Sequence, residues 1–266
     1  HTATMNKLKL LVFDLDGTLT TGSRTIPYPV QNTLRSLQRE GMLCTTATGN
    51  TFIQFIKKFG GQFTPNAPMV LENGSRIGTM YEEYVQEYPL EESILDSIPW
   101  IIEHNQVNYL GFYPGVGEHY VFYTPTQPLN PVLDYITDTV VTDVSELMDH
   151  LWRMRPTRIV THISHDSLTL PDGFAGVVAS NMGSHEITPA DVTKARGVTD
   201  LMNYLQIKPE DTAVFGNGYN DIELLRLPAQ IRVYVGDDCP ELEPLATHRV
   251  PDATHLVDLL TSLSQE

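Results

Sequence analysis

The chain has 266 residues, of which 41% are hydrophobic and 19% are charged. That much apolar material supports one large domain, or a core with a second module, and excludes disordered and fibrous proteins. Acidic residues outnumber basic ones by 33 to 17, which gives a net charge of −16 with neutral histidines. Nucleic acid and anionic membranes are therefore poor partners. An anionic substrate would need a metal ion or a few local cations in its pocket.

Cysteine content and the apolar stretches indicate the location of the chain. Two cysteines, Cys44 and Cys239, occur, which is too few for a disulfide framework and lacks the clustered spacing of a zinc site. This usage predicts a reducing, cytoplasmic location. The longest apolar stretches, such as residues 8–13 and 174–179, fall short of the ~18 residues that a membrane helix needs. We therefore predict no membrane-spanning segment.

The first part of the chain alternates strand and helix. Residues 8–13 are apolar apart from Lys9 and have no helical period, which is typical of a strand buried on both faces. Val30, Leu34 and Leu37 recur at helical spacing, and Gly41 follows where helices commonly stop. The predicted elements, in order, are a strand over 8–13, a helix over 28–40, a strand over 42–47, a helix over 52–59 and a strand over 67–71.

Near residue 78 the pattern changes, because the next hundred or so residues hold more than half of the aromatic residues and many of the prolines. We predict an inserted α+β module over 79–185, with strands over 107–113, 119–123, 158–164 and 174–180 and helices over 91–104 and 144–152. The strand–helix alternation then resumes with a helix over 194–205, a strand over 212–215, a helix from about 221, a strand over 231–235 and a final helix over 253–263. The expected fold is an α/β, Rossmann-like core with a parallel sheet, built from 1–78 and 186–266.

Polar residues stand at the ends of four predicted strands. The clusters are Asp14 to Thr18, Thr48-Gly49-Asn50, Asn73-Gly74 and the loop from Gly216 to Asp221. In open parallel sheets, binding sites form at the carboxyl ends of the strands. We therefore expect these four loops to build one site.

The pair Asp14 and Asp16 carries the strongest chemical signal. Carboxylates at i and i+2 of an extended segment point the same way, so they repel unless a cation lies beside them. A hard divalent ion such as Mg²⁺ fits this need. Gly17 permits a turn, and Thr18 adds a hydroxyl and amides that can hold an anion. The alternative is a solvated Asp-x-Asp-Gly turn without chemistry.

The stretch from Phe13 to Leu19 resembles the first signature of the haloacid dehalogenase (HAD) superfamily. Three further segments resemble the later signatures in the same order, namely Thr48-Gly49, the Lys motif that ends at Lys194, and the loop from Gly216 to Asp221. An insert of about a hundred residues between the second and third signatures is similar to the Cof-type, or class IIB, branch with its C2 cap. The resemblance covers nearly the whole chain, and it implies a HAD core over 1–78 and 186–266 with a C2-type cap domain over 79–185.

The resemblance implies phosphoryl transfer through an aspartyl phosphate on Asp14, with Asp16 as general acid and base. It implies a small phosphate ester as substrate, most commonly a sugar phosphate, and Mg²⁺ as cofactor. The implied residues are Thr18, Thr48, Gly49 and Lys194 for phosphate, Asp14, Asp16, Asn217 and Asp221 for the metal, and Asn50, Asn73 and Asn220 for the substrate.

Two positions depart from the family pattern. Asn217 replaces the first acid of the fourth signature, and an amide oxygen can bind Mg²⁺ but removes one negative charge. Asn50 stands where many relatives have Arg, so one cation on the substrate side is missing. Asn73 is equally compatible with an ordinary turn. Two alternatives to a phosphatase stay open, a phosphosugar mutase and a metabolite-binding relative without turnover.

Overall fold

The computed structural model of the chain describes residues 7–22, 24–125, 139–181 and 183–265. The strands are β1 (Leu10–Phe13), β2 (Leu43–Thr46), β3 (Met69–Leu71), β4 (Arg76–Gly78), β5 (Tyr84–Glu87), β6 (Val107–Phe112), β7 (Val121–Tyr123), β8 (Thr139–Val141), β9 (Ile159–Ile163), β10 (Val177–Asn181), β11 (Ser184–Thr188), β12 (Thr212–Gly216), β13 (Ile231–Val235) and β14 (His248–Val250). The α-helices are α1 (Tyr28–Arg39), α2 (Phe52–Phe59), α3 (Glu92–His104), α4 (Val144–Met154), α5 (Lys194–Leu205), α6 (Ile222–Arg226) and α7 (Leu256–Leu263).

The chain forms two units. The first, here called the flanking unit, consists of the described residues of His1–Gln86 and Thr193–Glu266. The second, the inserted unit, consists of those of Glu87–Val192. Within the described ranges, no helix combines the length and apolarity required to cross a bilayer.

The flanking unit contains a five-stranded sheet in the order β14-β13-β12-β1-β2, and all its strands are parallel. β1 lies between β12 and β2 and has the sequence Leu-Leu-Val-Phe, all of it buried. A strand covered on both faces needs such a continuous apolar run. Phe13 stacks on Phe215 of β12 with ring centroids 4.2 Å apart. Because the strands are parallel, their carboxyl ends share one edge, where polar loops follow β1, β2 and β12.

The inserted unit contains a six-stranded sheet in the order β10-β11-β9-β6-β7-β8. Its neighbouring strands are antiparallel except for β7 and β8. Apolar residues of α3, α4 and the sheet form one core, to which Ile94, Ile98, Leu147, Leu110 and Ile159 belong. Both helices therefore cover the same face of this sheet.

The predicted α/β class, with a parallel sheet and an additional α+β module, is confirmed. Strands β4, β5, β8, β11 and β14 were absent from the sequence prediction, and each spans only three to five residues. The predicted final helix over 253–263 is divided, because a 3₁₀ turn over Ala253–His255 precedes α7.

The inserted unit spans Glu87–Val192, so it begins and ends later than the predicted boundaries of 79 and 185. Strands β3, β4 and β5 form one small sheet, which keeps residues 79–86 with the flanking unit. Strand β11 pairs with β9 and β10, which keeps Ser184–Thr188 with the inserted unit. Short strands of this kind carry too few residues for a periodic signal.

Candidate active site

Asp14 is the first residue after β1, and its side chain is buried. Its backbone N–H donates to Phe215 O at 3.0 Å, which extends the pairing of β1 with β12. A buried carboxylate loses its hydration, so nearby cations or hydrogen-bond donors must compensate. Asp16, two residues further on, is exposed. The two predicted catalytic acids therefore lie in different environments.

Lys194 supplies a compensating charge for Asp14. Its ammonium Nζ lies 2.9 Å from Asp14 Oδ1 and 3.2 Å from Asp221 Oδ1, and all three side chains are buried. Lys194 is the first residue of α5, and the preceding Thr193 caps this helix by accepting from Arg196 N–H at 3.1 Å. The cap fixes the start of the helix and hence the lysine. Residues 180 positions apart thus meet at one point.

The Asp221 carboxylate also closes its own loop. Oδ2 accepts from the backbone N–H groups of Asn217, at 3.0 Å, and Gly218, at 3.2 Å. Oδ1 accepts from Lys194. Both oxygens are therefore engaged in holding the lysine and the loop. The predicted role of Asp221 as a metal ligand stays a prediction.

The pKa values in this cluster follow from burial and from the two carboxylates around one ammonium. Burial, followed by the charge of Asp221, raises the pKa of Asp14 to about 7, although Lys194 opposes the shift. Burial alone would lower the pKa of Lys194, but the charges of Asp14 and Asp221 outweigh it and raise this pKa. Lys194 is therefore a permanent cation, whereas Asp14 needs further positive charge to stay ionised at neutral pH.

The Asn217 amide lies beside Asp14. In the orientation that satisfies its neighbours, Nδ2 donates to Asp14 Oδ2 at 2.7 Å, to the Asp16 carbonyl at 3.1 Å and to Thr18 Oγ1 at 3.1 Å. The Thr18 hydroxyl in turn donates to Asp14 Oδ2 at 3.2 Å. Gly17 permits this approach, since a Cβ there would lie 2.1 Å from the amide and its φ is +84°. A side-chain nitrogen thus stands where three oxygens converge.

The same convergence suits a hard divalent cation. Asp14 Oδ2, the Asp16 carbonyl and, after half a turn of the amide, Asn217 Oδ1 are oxygen donors of the kind that Mg²⁺ binds. In the part of the chain that the structure describes, no three His, Cys, Asp or Glu side chains are placed to hold a metal. Such an ion would therefore depend on a carbonyl and an amide besides Asp14. The residues fit Mg²⁺ by donor type, with less negative charge than an Asp at position 217 would give.

Thr48 and Asn50 form a second hydrogen-bonded group, in the turn after β2. Thr48 Oγ1 accepts from Asn50 N–H at 3.0 Å and from Asn50 Nδ2 at 2.7 Å. Lys58 Nζ donates to Asn50 Oδ1 at 2.9 Å. A capping box between Thr51 and Gln54 fixes the start of α2, which carries Lys58. The sequence prediction missed Lys58, because the contact with Asn50 depends on a side-chain rotamer and leaves no periodic signal in the sequence.

Asn73 lies in a loop that turns sharply after β3. Glu72, Asn73 and Gly74 all have positive φ, at 50°, 59° and 100°. The backbone N–H groups of Glu72 and Asn73 donate to Asn50 O and Thr48 O, each at 3.0 Å. A left-handed conformation at two consecutive non-glycine residues costs free energy, which is typical of functional loops. The structure thus brings Asn73 against the Thr48 turn.

The remaining predicted residues are placed less centrally. Asn220 is exposed in the 3₁₀ turn Tyr219–Asp221, and Gly49 is part of the turn after β2. The structure therefore joins Asp14, Thr18, Asn217, Asp221 and Lys194 by direct contacts, and it links Thr48 to Asn50. Their roles in binding and catalysis stay predictions.

This fold and arrangement match a known family. Residues 11–255 match the haloacid dehalogenase-like hydrolases. Because this match spans most of the chain, the chain belongs to that family. The family is one of hydrolases.

Individual relatives agree with this assignment. A Mycoplasma genitalium protein that carries the name of a phosphatase is 24% identical over 241 residues, which cover 83% of this chain and 84% of the relative. A phosphoglycolate phosphatase of Methanopyrus kandleri is also 24% identical, over 82% of this chain and 80% of its own. A solved HAD subclass IIB sugar phosphatase, at 18% identity, has a TM-score of 0.74 and covers 96% of this chain and 98% of its own. The structural match confirms the predicted HAD fold.

Proposed function

We propose that the protein is a Mg²⁺-dependent phosphatase that hydrolyses a small phosphorylated metabolite, a sugar phosphate, through an aspartyl phosphate on Asp14. The observation that carries this proposal is the buried Asp14 carboxylate held by Lys194 at the carboxyl end of β1. The exposed Asp16 follows two residues later. A sugar phosphatase among the structural relatives supports the substrate class.

In the first step, a carboxylate oxygen of Asp14 attacks phosphorus and the ester P–O bond breaks. The leaving oxygen takes a proton from the Asp16 carboxyl group, which is solvent-accessible. In the second step, water attacks phosphorus and passes its proton to the Asp16 carboxylate. The bond between phosphorus and Asp14 then breaks, which releases inorganic phosphate and regenerates both acids.

The other residues act through charge and hydrogen bonds. Lys194 neutralises charge on the phosphoryl oxygens, and Thr48 donates to one of them. Asp221 keeps Lys194 in place, as its 3.2 Å contact allows. Asp14, the Asp16 carbonyl and Asn217 would hold Mg²⁺, which supplies positive charge that keeps Asp14 ionised and stabilises the transferring group.

Phosphate release from a panel of sugar phosphates and phosphoglycolate, with Mg²⁺ or with EDTA, tests this proposal. We expect Mg²⁺-dependent release, and a loss of at least about 1,000-fold in Asp14→Asn, because the nucleophile is gone. Asp16→Asn should lose the same order of activity, since no other group is assigned to the proton transfer. The matched control is Asp238→Asn, an exposed acid after β13, which should retain full activity.

Three results would contradict the proposal. Release that survives Asp14→Asn would exclude the aspartyl phosphate. Transfer of phosphate within a sugar, with a bisphosphate requirement and without free phosphate, would identify a mutase. The absence of phosphate release across the panel, with ligand binding retained, would identify a binding protein.

A further inference from the structure

The Thr48 hydroxyl has both of its acceptor positions filled by one residue. Asn50 N–H approaches it at 3.0 Å and Asn50 Nδ2 at 2.7 Å. A hydroxyl oxygen offers two lone pairs and a single proton. With both lone pairs engaged, the proton is directed away from Asn50. Thr48 is buried, so the group is held in this state away from bulk water.

Lys58 decides which way the Asn50 amide faces. Its ammonium donates to Asn50 Oδ1 at 2.9 Å, so Oδ1 must face the lysine and Nδ2 must face Thr48. An amide turned by 180° would present two donors to an ammonium, which can only donate. The oxygen would then face Thr48 and accept its proton. The ammonium therefore fixes Thr48 as an outward donor, and charge-assisted hydrogen bonds are the stronger kind.

The hydrogen-bonded series Lys58–Asn50–Thr48 also relates to the cation that is missing at position 50, where many relatives have Arg. Asn50 is neutral, but Lys58 reaches it from the second turn of α2. A hydrogen-bonded chain polarises each member, so the Thr48 hydroxyl becomes a better donor to an anion. The neighbouring Lys57 is exposed, and Lys58 is partly buried.

We propose that Asn50 and Lys58 are positioning residues, which fix the Thr48 hydroxyl as a hydrogen-bond donor to the transferring phosphoryl group. This inference rests on the proposed function, because it assumes that a phosphoryl group binds at the strand ends. Neither residue needs to touch the substrate, since both act through Thr48.

Variants of Lys58 test the inference through phosphate release and through the affinity for orthovanadate, a phosphoryl probe, measured by calorimetry with Mg²⁺. Lys58→Met should lower kcat and weaken vanadate binding about tenfold, part of the loss that follows removal of one oxyanion donor. KM for the ester should change less than kcat, because the hydrogen bond strengthens in the transition state. Lys58→Arg should restore most of the loss, and Lys57→Met is the matched control that changes neither quantity.

Thr48→Val removes the hydroxyl itself and should lower kcat about 100-fold. In that background, Lys58→Met should have no further effect, because there is no hydroxyl left to orient. A purely structural role for Lys58 would instead lower kcat again by the same factor. Asn50→Asp should resemble Thr48→Val, since a carboxylate accepts the Thr48 proton that the amide directs outward.

The outcomes separate this inference from the proposed function. If the parent releases phosphate and Lys58→Met behaves as Lys57→Met, the inference is wrong and the phosphatase stands. If the parent releases no phosphate but binds vanadate with an affinity that depends on Lys58 through Thr48, the phosphatase is wrong and the inference stands. If the parent neither releases phosphate nor binds vanadate, both are wrong.

Discussion

The interiors of the two units treat polar groups differently. At the strand ends of the flanking unit, two carboxylates and one ammonium are buried together, and each contacts a partner within 3.2 Å. In the inserted unit, the helices and the sheet enclose an apolar core. Within the described residues of that unit, His185 Nε2 and Thr161 Oγ1 are buried without hydrogen-bond partners. They lie on residues that face each other across β11 and β9.

Burying charged and polar groups costs free energy of folding, and the two units bear this cost to different degrees. Buried charges stabilise a protein only when they are paired, and a paired cluster is seldom more stable than an apolar one. The flanking unit retains such a cluster where phosphoryl chemistry would need it. The inserted unit carries a smaller cost, two unsatisfied polar atoms.

The largest effect should come from removing the cation of the flanking unit. Lys194→Met leaves Asp14 and Asp221 buried without their ammonium, so the free energy of unfolding should fall by about 3–5 kcal/mol. Urea denaturation at pH 8 measures it. Lys9→Met breaks the ion pair with Asp211 at the surface, where the lysine side chain is 63% exposed, and should change little. Equal losses in the two variants would contradict the difference drawn between paired buried charges and surface pairs.

Asp14 itself should destabilise the metal-free flanking unit at neutral pH. Its pKa is raised in the folded state. Its contribution to the free energy of unfolding is therefore fully present below about pH 4 and is lost as pH rises through about 7. Asp14→Asn in EDTA should therefore be more stable than the parent at pH 8, by an amount on the order of 1–3 kcal/mol. The gap should narrow toward pH 4, as urea denaturation across this range would show. The exposed Asp16, changed to Asn, serves as control, and a gap that widens toward low pH would contradict the assignment.

Position 217 sets how strongly the strand-end site attracts a cation. Asn217→Asp adds a negative charge beside Asp14 Oδ2 and the Asp16 carbonyl, so Mg²⁺ affinity should rise about tenfold. Without Mg²⁺ the same variant should be less stable, since two carboxylates would then repel each other. Isothermal titration calorimetry measures the affinity. Asn220→Asp, in the exposed part of the same loop, is the matched control, and equal gains would place position 217 outside the metal site.

The smallest effect concerns the hydroxyls of the two units. Thr161→Val removes an unsatisfied buried hydroxyl in the inserted unit and should raise the free energy of unfolding by about 1 kcal/mol. The same change at Thr45, whose hydroxyl lies 3.1 Å from Ala67 O and 2.9 Å from Pro68 O, should lower it by about 1 kcal/mol. Thermal denaturation of both variants gives the sign of each change in the free energy of unfolding. Effects of the same sign would mean that hydrogen-bond satisfaction does not distinguish these positions.

The sequence predicted most of what strand ends and helical periods determine. The apolar run of β1 and the acids after it place Asp14 at the carboxyl edge of a parallel sheet, which the structure bears out. The meeting of Asp14 with Lys194 came from the family resemblance, because nothing local relates residues 180 positions apart.

Other features depend on side-chain orientation and on short elements. Lys58 reaches Asn50 through a rotamer that no periodicity encodes. The pairing of His185 with Thr161 requires knowledge of the register of β11, a strand that the sequence did not reveal. Three-residue strands such as β8 are set by their neighbours in the sheet more than by their own residues.

The position of β1 between β2 and β12 has a consequence for how the protein is made. β1 pairs with β2 early in the chain, but its other neighbour is β12, where Thr212 faces Leu10. During synthesis, the second edge of an entirely apolar strand stays open until most of the chain has been translated. Unpaired apolar edges promote aggregation, and sheets closed by distant strands fold slowly. The order of translation therefore makes the nascent chain most dependent on chaperones in the interval before residue 212 emerges from the ribosome.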